Sequence, residues 1–227
     1  MLEYISNNYF MLLYFLALIL SIAKYHLYYN TILKYLPILI GYTFLTETFG
    51  ILIRDVEEIQ ISFSQEYYNY NTVIYNIFDI IFFTYYFYVY YHVIDNLNSK
   101  KIIKYGTWIF LAICIFNLFI QDFYVYPQNY AIIIGSLILL FAVLTYLNKV
   151  FKEQQSILLH TNLLFWISIG ILFFYTCYPI TMYILSYYYD VYSEYNLSVV
   201  HYATIGVFYS CILIGFLLMK RHRISAD

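Results

Sequence analysis

The chain has 227 residues, of which 63% are hydrophobic and 11% are charged, and its formal net charge is −2. Soluble domains contain about 25% charged residues, so this composition excludes an ordinary water-soluble globular protein. Together with a mean hydropathy of +0.70, it indicates an integral membrane protein.

The apolar residues form long blocks separated by short polar breaks, which is the pattern of helices that cross about 30 Å of hydrocarbon. In chain order, we predict transmembrane helices at residues 5–27, 35–55, 71–94, 105–125, 130–149, 159–187 and 198–219. The first block is preceded by one charged side chain, Glu3, and lacks the positive start of a cleaved signal. The predicted fold class is therefore all-α, with one seven-helix transmembrane domain over residues 1–227.

The charged residues are distributed unevenly between the two ends of the predicted helices. Ten of the eleven Lys and Arg residues fall in the first, third and fifth loops or in the C-terminal tail, whereas Arg54 falls on the other side. Basic residues accumulate on the cytoplasmic side of membrane proteins. We therefore predict that the N-terminus is outside and that the C-terminus is cytoplasmic.

Tyrosine and phenylalanine are unusually frequent, at 32 and 20 residues. An aromatic ligand cage or interfacial belts would account for them. A bias toward AT-rich codons would enrich Ile, Asn and Lys as well, and we favour that explanation. Cys114, Cys177 and Cys211 lie inside apolar blocks without the spacing of a disulfide framework or a zinc site. We predict no metal site and no cofactor.

Two carboxyl groups interrupt the apolar blocks, that of Glu47 in the second and that of Asp79 in the third. Each lies eight residues from the outer end of its predicted helix, or about 12 Å at 1.5 Å per residue, so we predict that both lie at one depth. An acid at a helix centre costs about 2.5–3.5 kcal/mol on insertion scales, which favours an interior position. Both are candidate groups for binding a ligand or a proton.

Further polar residues are predicted to complete this layer. Arg54, Asn76 and Asn117 should orient the two carboxyl groups, and a structural hydrogen-bond network between helices is the alternative. A proline in the sixth block frees a backbone carbonyl near Thr176, and His201 lies near the outer end of the seventh block. For these two features we favour a packing kink and an interfacial histidine, and we keep both residues as candidate binding residues.

Missing residues exclude several familiar activities. The seventh block has no lysine before Lys220 that would form a retinal Schiff base, and the chain lacks the His-Glu-x-x-His, Gly-x-Gly-Asp and Gly-x-Ser-x-Gly motifs. It also lacks phosphate-loop and nucleic-acid motifs. We therefore predict no catalytic residues and favour a protein that is not an enzyme. Because no loop can hold a soluble domain, any output requires the membrane domain itself or a separate cytoplasmic signalling protein.

The stretches "LTETFGILIR", "YNTVIYNIFDIIFF" and "NLLFWISIGILFFY" resemble a group of uncharacterised small seven-helix integral membrane proteins of Bacteroidota. The resemblance covers most of the chain. It implies a multi-pass protein of the bacterial inner (plasma) membrane, and it implies no activity. In outline, the arrangement is also similar to the seven-helix sensor regions of some histidine kinases, without the kinase part.

These observations lead to a functional hypothesis. We expect a sensor-like or accessory membrane protein that binds a small ligand or a proton in an outward-facing polar cavity. A proton-coupled carrier or pore is the main alternative, and an intramembrane enzyme acting on lipid or a structural membrane subunit are the others. The expected partners are the lipid bilayer and a separate cytoplasmic signalling protein, a homo-oligomer is compatible with the sequence, and no nucleic acid is expected.

Overall fold

The computed structural model describes residues 9–64, 66–68, 70–152 and 159–220. Over these residues all regular structure is helical, without a β-strand. The helices of six or more residues are α1 (Tyr9–Ala23), α2 (Leu36–Asp55), α3 (Thr72–Val93), α4 (Leu97–Ile120), α5 (Asn129–Lys152), α6 (Leu163–Tyr187), α7 (Tyr189–Glu194) and α8 (Leu197–Leu218). Among them, α2 to α6 and α8 are long and apolar enough to cross a membrane, and α1 is a shorter apolar helix. The predicted all-α polytopic membrane fold is confirmed to this extent.

Helix α4 differs most from its predicted boundaries of 105–125. It begins eight residues earlier, because the side-chain oxygen of Asn96 accepts hydrogen bonds from the backbone N–H groups of Asn98 and Ser99, at 2.9 and 3.0 Å. The prediction from apolar blocks placed this start too late, because lysines occupy the first two turns of the helix. At its other end, α4 stops at Ile120 rather than at 125.

Two other helices are shorter than predicted. Helix α1 ends at Ala23 rather than at 27, because the chain then turns into a 3₁₀ segment. The predicted residues 5–8 of the first helix lie outside the described residues. Helix α6 begins four residues later than predicted, directly after Asn162, whose side-chain oxygen accepts a hydrogen bond from the backbone N–H of Leu164 at 3.0 Å. In both α4 and α6, a capping asparagine rather than the edge of the apolar block sets the start.

Six helices form a closed ring in the order α1, α2, α3, α5, α6 and α8, and α8 packs back against α1. Helix α4 lies outside this ring, against α3 and α5. The helix contacts bury large aromatic side chains, among them Phe83, Tyr86, Tyr90, Tyr175 and Phe216. The interior of the ring is therefore reached from these six helices but not from α4.

The two ends of the bundle differ in charge. We call the end with the α2–α3, α4–α5 and α6–α8 connections the acidic face, which carries Asp55, Glu57, Glu58, Asp122 and Asp190. We call the opposite end the basic face, which carries Lys24, Lys34, Lys100, Lys149 and Lys152. On the basic face, the ammonium group of Lys149 forms an ion pair with Asp95.

The crossing of α6 and α8 is close because two glycines lie in it. A Cβ atom added at Gly170 would lie 2.6 Å from Cδ2 of Phe208 and 3.0 Å from its backbone oxygen. A Cβ atom at Gly215 would lie 2.9 Å from Cδ1 of Leu163 and 3.0 Å from Cβ of Trp166. Small residues allow such close approach of helices within a bilayer.

We expect Gly170→Ala to lower the free energy of unfolding by about 1–3 kcal/mol, the usual cost of overpacking. The added methyl group meets backbone atoms of α8, which cannot rotate away. Gly41→Ala is the matched control, because a Cβ atom there meets only Cδ1 of Leu18, at an ordinary 3.5 Å. Thermal unfolding of the detergent-solubilised variants is the measurement, and equal unfolding temperatures for the two would contradict the close crossing.

Candidate functional site

A cavity of about 740 Å³ lies between α1, α2, α3, α6 and α8. It reaches the surface at the acidic face, where Tyr70 and Tyr189 line it and are 40% and 66% exposed. Its deeper wall is aromatic and includes Phe82, Tyr175 and Phe208, all buried. The polar and charged side chains of its wall include Thr43, Glu47, Arg54, Asn71, Asn76, Asp79 and His201.

Glu47 is held by two tyrosines from neighbouring helices. The hydroxyl of Tyr14, on α1, donates to Oε1 of Glu47 at 3.3 Å, and the hydroxyl of Tyr75, on α3, donates to Oε2 at 3.1 Å. Gly50, almost one turn further along α2, makes room for this arrangement, because a Cβ atom there would overlap the Tyr75 hydroxyl. Both carboxyl oxygens of Glu47 therefore have a donor before any ligand arrives.

Asp79 is more buried and has fewer donors. It is 8% exposed, and the hydroxyl of Tyr178, on α6, donates to its Oδ2 at 3.1 Å. Since a carboxylate oxygen can accept more than one hydrogen bond, Asp79 keeps acceptor capacity toward the cavity. The carboxyls of Glu47 and Asp79 thus line one cavity, and tyrosines rather than a direct bond join each of them to other helices.

The predicted equal depth of the two carboxyl groups is not found. The side-chain amide of Asn71, at the start of α3, donates to the backbone oxygen of Gly50 at 3.0 Å, and the rings of Tyr42 and Phe78 stack at 5.9 Å. This register places Asp79 more than one helical turn, at least ~5.4 Å, nearer the basic face than Glu47. The cause is that α2 continues more than a turn beyond the start of α3, so counting residues from each helix end misaligns the pair.

Arg54 and Asn76 line the cavity, but their hydrogen bonds go elsewhere. Arg54 donates to both carboxyl oxygens of Asp55, at 2.7 and 3.1 Å. The amide nitrogen of Asn76 donates to the backbone oxygens of Phe123 and Tyr126, at 2.9 and 3.0 Å. Its amide oxygen accepts from the backbone N–H of residue 128 at 3.1 Å. Among the described residues neither of them donates to Glu47 or Asp79, and Asn76 instead fixes the loop between α4 and α5.

Asn117 and Thr176, two of the predicted binding residues, do not line the cavity. Asn117 is buried on α4, which packs outside the ring, and within the described part of the chain its amide atoms have no hydrogen-bond partner. Thr176 is exposed on the lipid-facing side of α6, and its hydroxyl donates to the backbone oxygen of Leu172 at 2.6 Å. On a helix, Thr176 points away from the face shared by Tyr175 and Tyr178.

His201 lies in the cavity wall, on α8. Its ring lies 5.6 Å from the ring of Tyr178 and 6.2 Å from that of Phe174. Its Nδ1 atom is buried and, among the described residues, has no hydrogen-bond partner. His201 therefore contacts the same tyrosine that donates to Asp79.

Two loops of the acidic face meet at the rim of the cavity. The hydroxyl of Tyr67 donates to Oδ2 of Asp122 at 3.2 Å, and the hydroxyl of Thr72 donates to the backbone oxygen of Val125 at 3.3 Å. The hydrogen bond to Asp122 raises the pKa of the half-buried Tyr67 phenol. These bonds join the α2–α3 loop and the start of α3 to the α4–α5 loop.

The tyrosines that hold the two acids, Tyr14, Tyr75 and Tyr178, were not predicted as site residues. Codon bias acts on the whole chain, yet 15 of the 31 lining residues, about half, are Phe or Tyr, against 24% aromatic residues in the chain. Tyr75 lies four residues before Asp79, and residues with this spacing share one face of a helix. This spacing is the feature of the sequence that could have indicated Tyr75 as a site residue.

The fold and this site define a polytopic helical membrane protein with an acidic, aromatic-lined cavity that opens at one face. Comparison of the chain with protein-family models, with curated proteins and with solved structures finds no match.

Proposed function

We propose that the protein is a sensor-like or accessory integral membrane protein that binds a small ligand in its acidic-face cavity. The observation that supports this best is that Glu47 and Asp79, carried by different helices, both line one cavity of about 740 Å³. Ligand pockets of proteins commonly enclose about 300–1,000 Å³ and combine apolar walls with a few placed polar groups. A network that served only to hold helices together would not need this space between them.

The proposal includes an orientation in the membrane. The basic face is cytoplasmic and the acidic face is outside, in agreement with the distribution of lysines, and α1 is counted as the seventh spanning helix. The membrane is the bacterial inner membrane. An enzyme reporter fused after Asp227 is expected to be active in the cytoplasm, and a reporter active only outside would contradict the orientation.

Access of water to the cavity can be tested with a single cysteine. Ile51 lines the cavity on α2, and Leu45, on the same helix, is 52% exposed on the lipid-facing surface of the bundle. In a background with Cys114, Cys177 and Cys211 replaced by Ala, Ile51→Cys is expected to react with a membrane-impermeant maleimide added outside at least about tenfold faster than Leu45→Cys, because the reactive thiolate requires water. Equal rates would contradict an open, hydrated cavity.

A proton-coupled carrier is the second candidate, and it has its own supporting observation. Between the aromatic floor of the cavity and the basic face lie two buried or half-buried polar contacts. The hydroxyls of Tyr90 and Ser168 are 2.7 Å apart, and the side-chain amide of Asn162 donates to the hydroxyl of Tyr146 at 3.1 Å. Proton flux into liposomes that Asp79→Asn abolishes would favour a carrier. Tight liposomes without flux would favour the binding protein.

A further inference from the structure

The charge of the cavity wall restricts which ligands fit. Its carboxyl groups, those of Glu47 and Asp79, face the cavity, and its guanidinium group, that of Arg54, is bonded to Asp55 at the mouth. Among the described lining residues no Lys is present. The wall therefore carries two carboxyl groups and one guanidinium group that is already paired with Asp55, which disfavours an anionic ligand and favours a cationic one.

The rings around Asp79 favour the same charge. Tyr178, which donates to Asp79, stacks on Phe174 at 4.8 Å between ring centroids, and Phe174 stacks on Phe208 at 5.9 Å. The faces of aromatic rings carry negative potential, and a cation within about 6 Å of a ring centroid gains ~0.5–1 kcal/mol at exposed sites and ~2 kcal/mol or more when desolvated. An ammonium group beside Asp79 would therefore lie near a carboxyl group and among aromatic side chains that line the same cavity.

The size of the cavity and its ligand atoms do not fit a bare metal ion. A volume of about 740 Å³ is suited to an organic molecule. No group of three or more His, Cys, Asp or Glu side chains in the described part of the chain could hold a metal ion. The occupant should therefore combine an apolar body, for the aromatic walls, with a positive charge.

We infer that the cavity binds an organic ammonium ion, with its apolar body against the aromatic wall and its charged nitrogen at Asp79. This inference rests on the proposed function, that the cavity binds a small ligand. Asp79 rather than Glu47 receives the nitrogen, because among the described residues Glu47 accepts two hydrogen bonds, from Tyr14 and Tyr75, and Asp79 accepts one, from Tyr178, so that Asp79 keeps the larger acceptor capacity.

Three probes of similar size and different charge test the inference. Phenethylamine is a cation at neutral pH, phenethyl alcohol is neutral, and phenylacetate is an anion. We expect calorimetry on the full chain in lipid nanodiscs, corrected with empty nanodiscs, to give a dissociation constant about tenfold lower for the amine than for the alcohol. Phenylacetate should bind most weakly, because it would place a third negative charge beside the two acids.

Two variants with the same change of charge locate the nitrogen. Asp79→Asn is expected to remove the preference for the amine over the alcohol, because it keeps the acceptor for Tyr178 and loses the charge. Asp122→Asn, at the rim and outside the cavity lining, is expected to retain the preference. The size-exclusion profile and the unfolding temperature of each variant establish that it is folded.

Other results would overturn the inference and leave the proposed function to be judged separately. Equal binding of amine and alcohol, tightest binding of phenylacetate, or an amine preference that survives Asp79→Asn would mean that the cavity takes a ligand of another class. Failure of all three probes to bind would also overturn the inference. In that case, the reactivity of Ile51→Cys toward the impermeant maleimide still decides whether a water-accessible binding cavity exists.

Discussion

Replacing Asn76 by Asp is expected to destabilise the protein by about 3–5 kcal/mol, the largest loss of stability among the changes considered, since it breaks a buried network and leaves a charge without a partner. Asn76 is 2% exposed. Its amide nitrogen donates to two backbone oxygens, those of Phe123 and Tyr126. An aspartate has no such donors and would direct a carboxylate at both oxygens, while it would keep only the bond from the backbone N–H of residue 128.

Asn71→Asp is the matched control for this variant. It introduces the same charge directly before the same helix, but within the described part of the chain Asn71, which is half-buried, makes a single side-chain bond, to the backbone oxygen of Gly50. Its loss should cost about 1 kcal/mol. Thermal unfolding in detergent and proteolysis of the α4–α5 loop are the measurements. An Asn76→Asp variant as stable as Asn71→Asp would mean that Asn76 does not hold that loop.

Replacing Asp79 by Asn is expected to stabilise the protein, by about 1–2 kcal/mol, because burial of an acid at a helix centre is costly and a single hydrogen bond from Tyr178 does not offset it. The carbonyl oxygen of the asparagine can still accept from Tyr178, at the position of Oδ2 of Asp79. Residues kept for binding commonly lower stability. The variant should therefore unfold at a higher temperature and lose the preference for an amine.

Asp122→Asn again serves as the control, because Asp122 lies at the rim and is only half-buried. Its replacement removes the same charge from a hydrated position, where the effect on stability should be within about 0.5 kcal/mol. The unfolding temperatures of the two variants are compared under identical conditions. A destabilised Asp79→Asn variant would instead assign Asp79 a structural role in joining α3 to α6.

Much of the architecture could be predicted because the bilayer imposes a simple rule on the chain. Apolar blocks long enough to cross hydrocarbon coincide with α2, α3, α5, α6 and α8 to within a few residues. The start of α4 could not be found this way, since the cap at Asn96 begins the helix among lysines. Hydropathy detects burial in lipid and does not detect a hydrogen-bonded cap in water.

The two acidic residues of the candidate site could be predicted from the sequence, but the residues around them could not. Glu47 and Asp79 were found because an intramembrane carboxyl group is costly and therefore turns inward. Asn117 was misplaced because chain order does not reveal that α4 packs outside the ring. The role of Tyr178 was missed because its contact with Asp79 joins α3 to α6, two helices far apart in the sequence.

Under the proposed sensor-like function, the glycine crossing of α6 and α8 bears on how ligand binding would be transmitted across the bilayer. Because Gly170 and Gly215 leave no clearance between the two helices, we expect α6 and α8 to move together if a bound ligand displaces Tyr178 or His201. Glu47 on α2 and Asp79 on α3 are instead joined to neighbouring helices by hydrogen bonds from tyrosine hydroxyls. Such hydrogen bonds can re-form after a small displacement. A cytoplasmic receiver would therefore detect occupancy as movement of the α6 and α8 ends, at Asn162 and Met219, relative to the rest of the bundle.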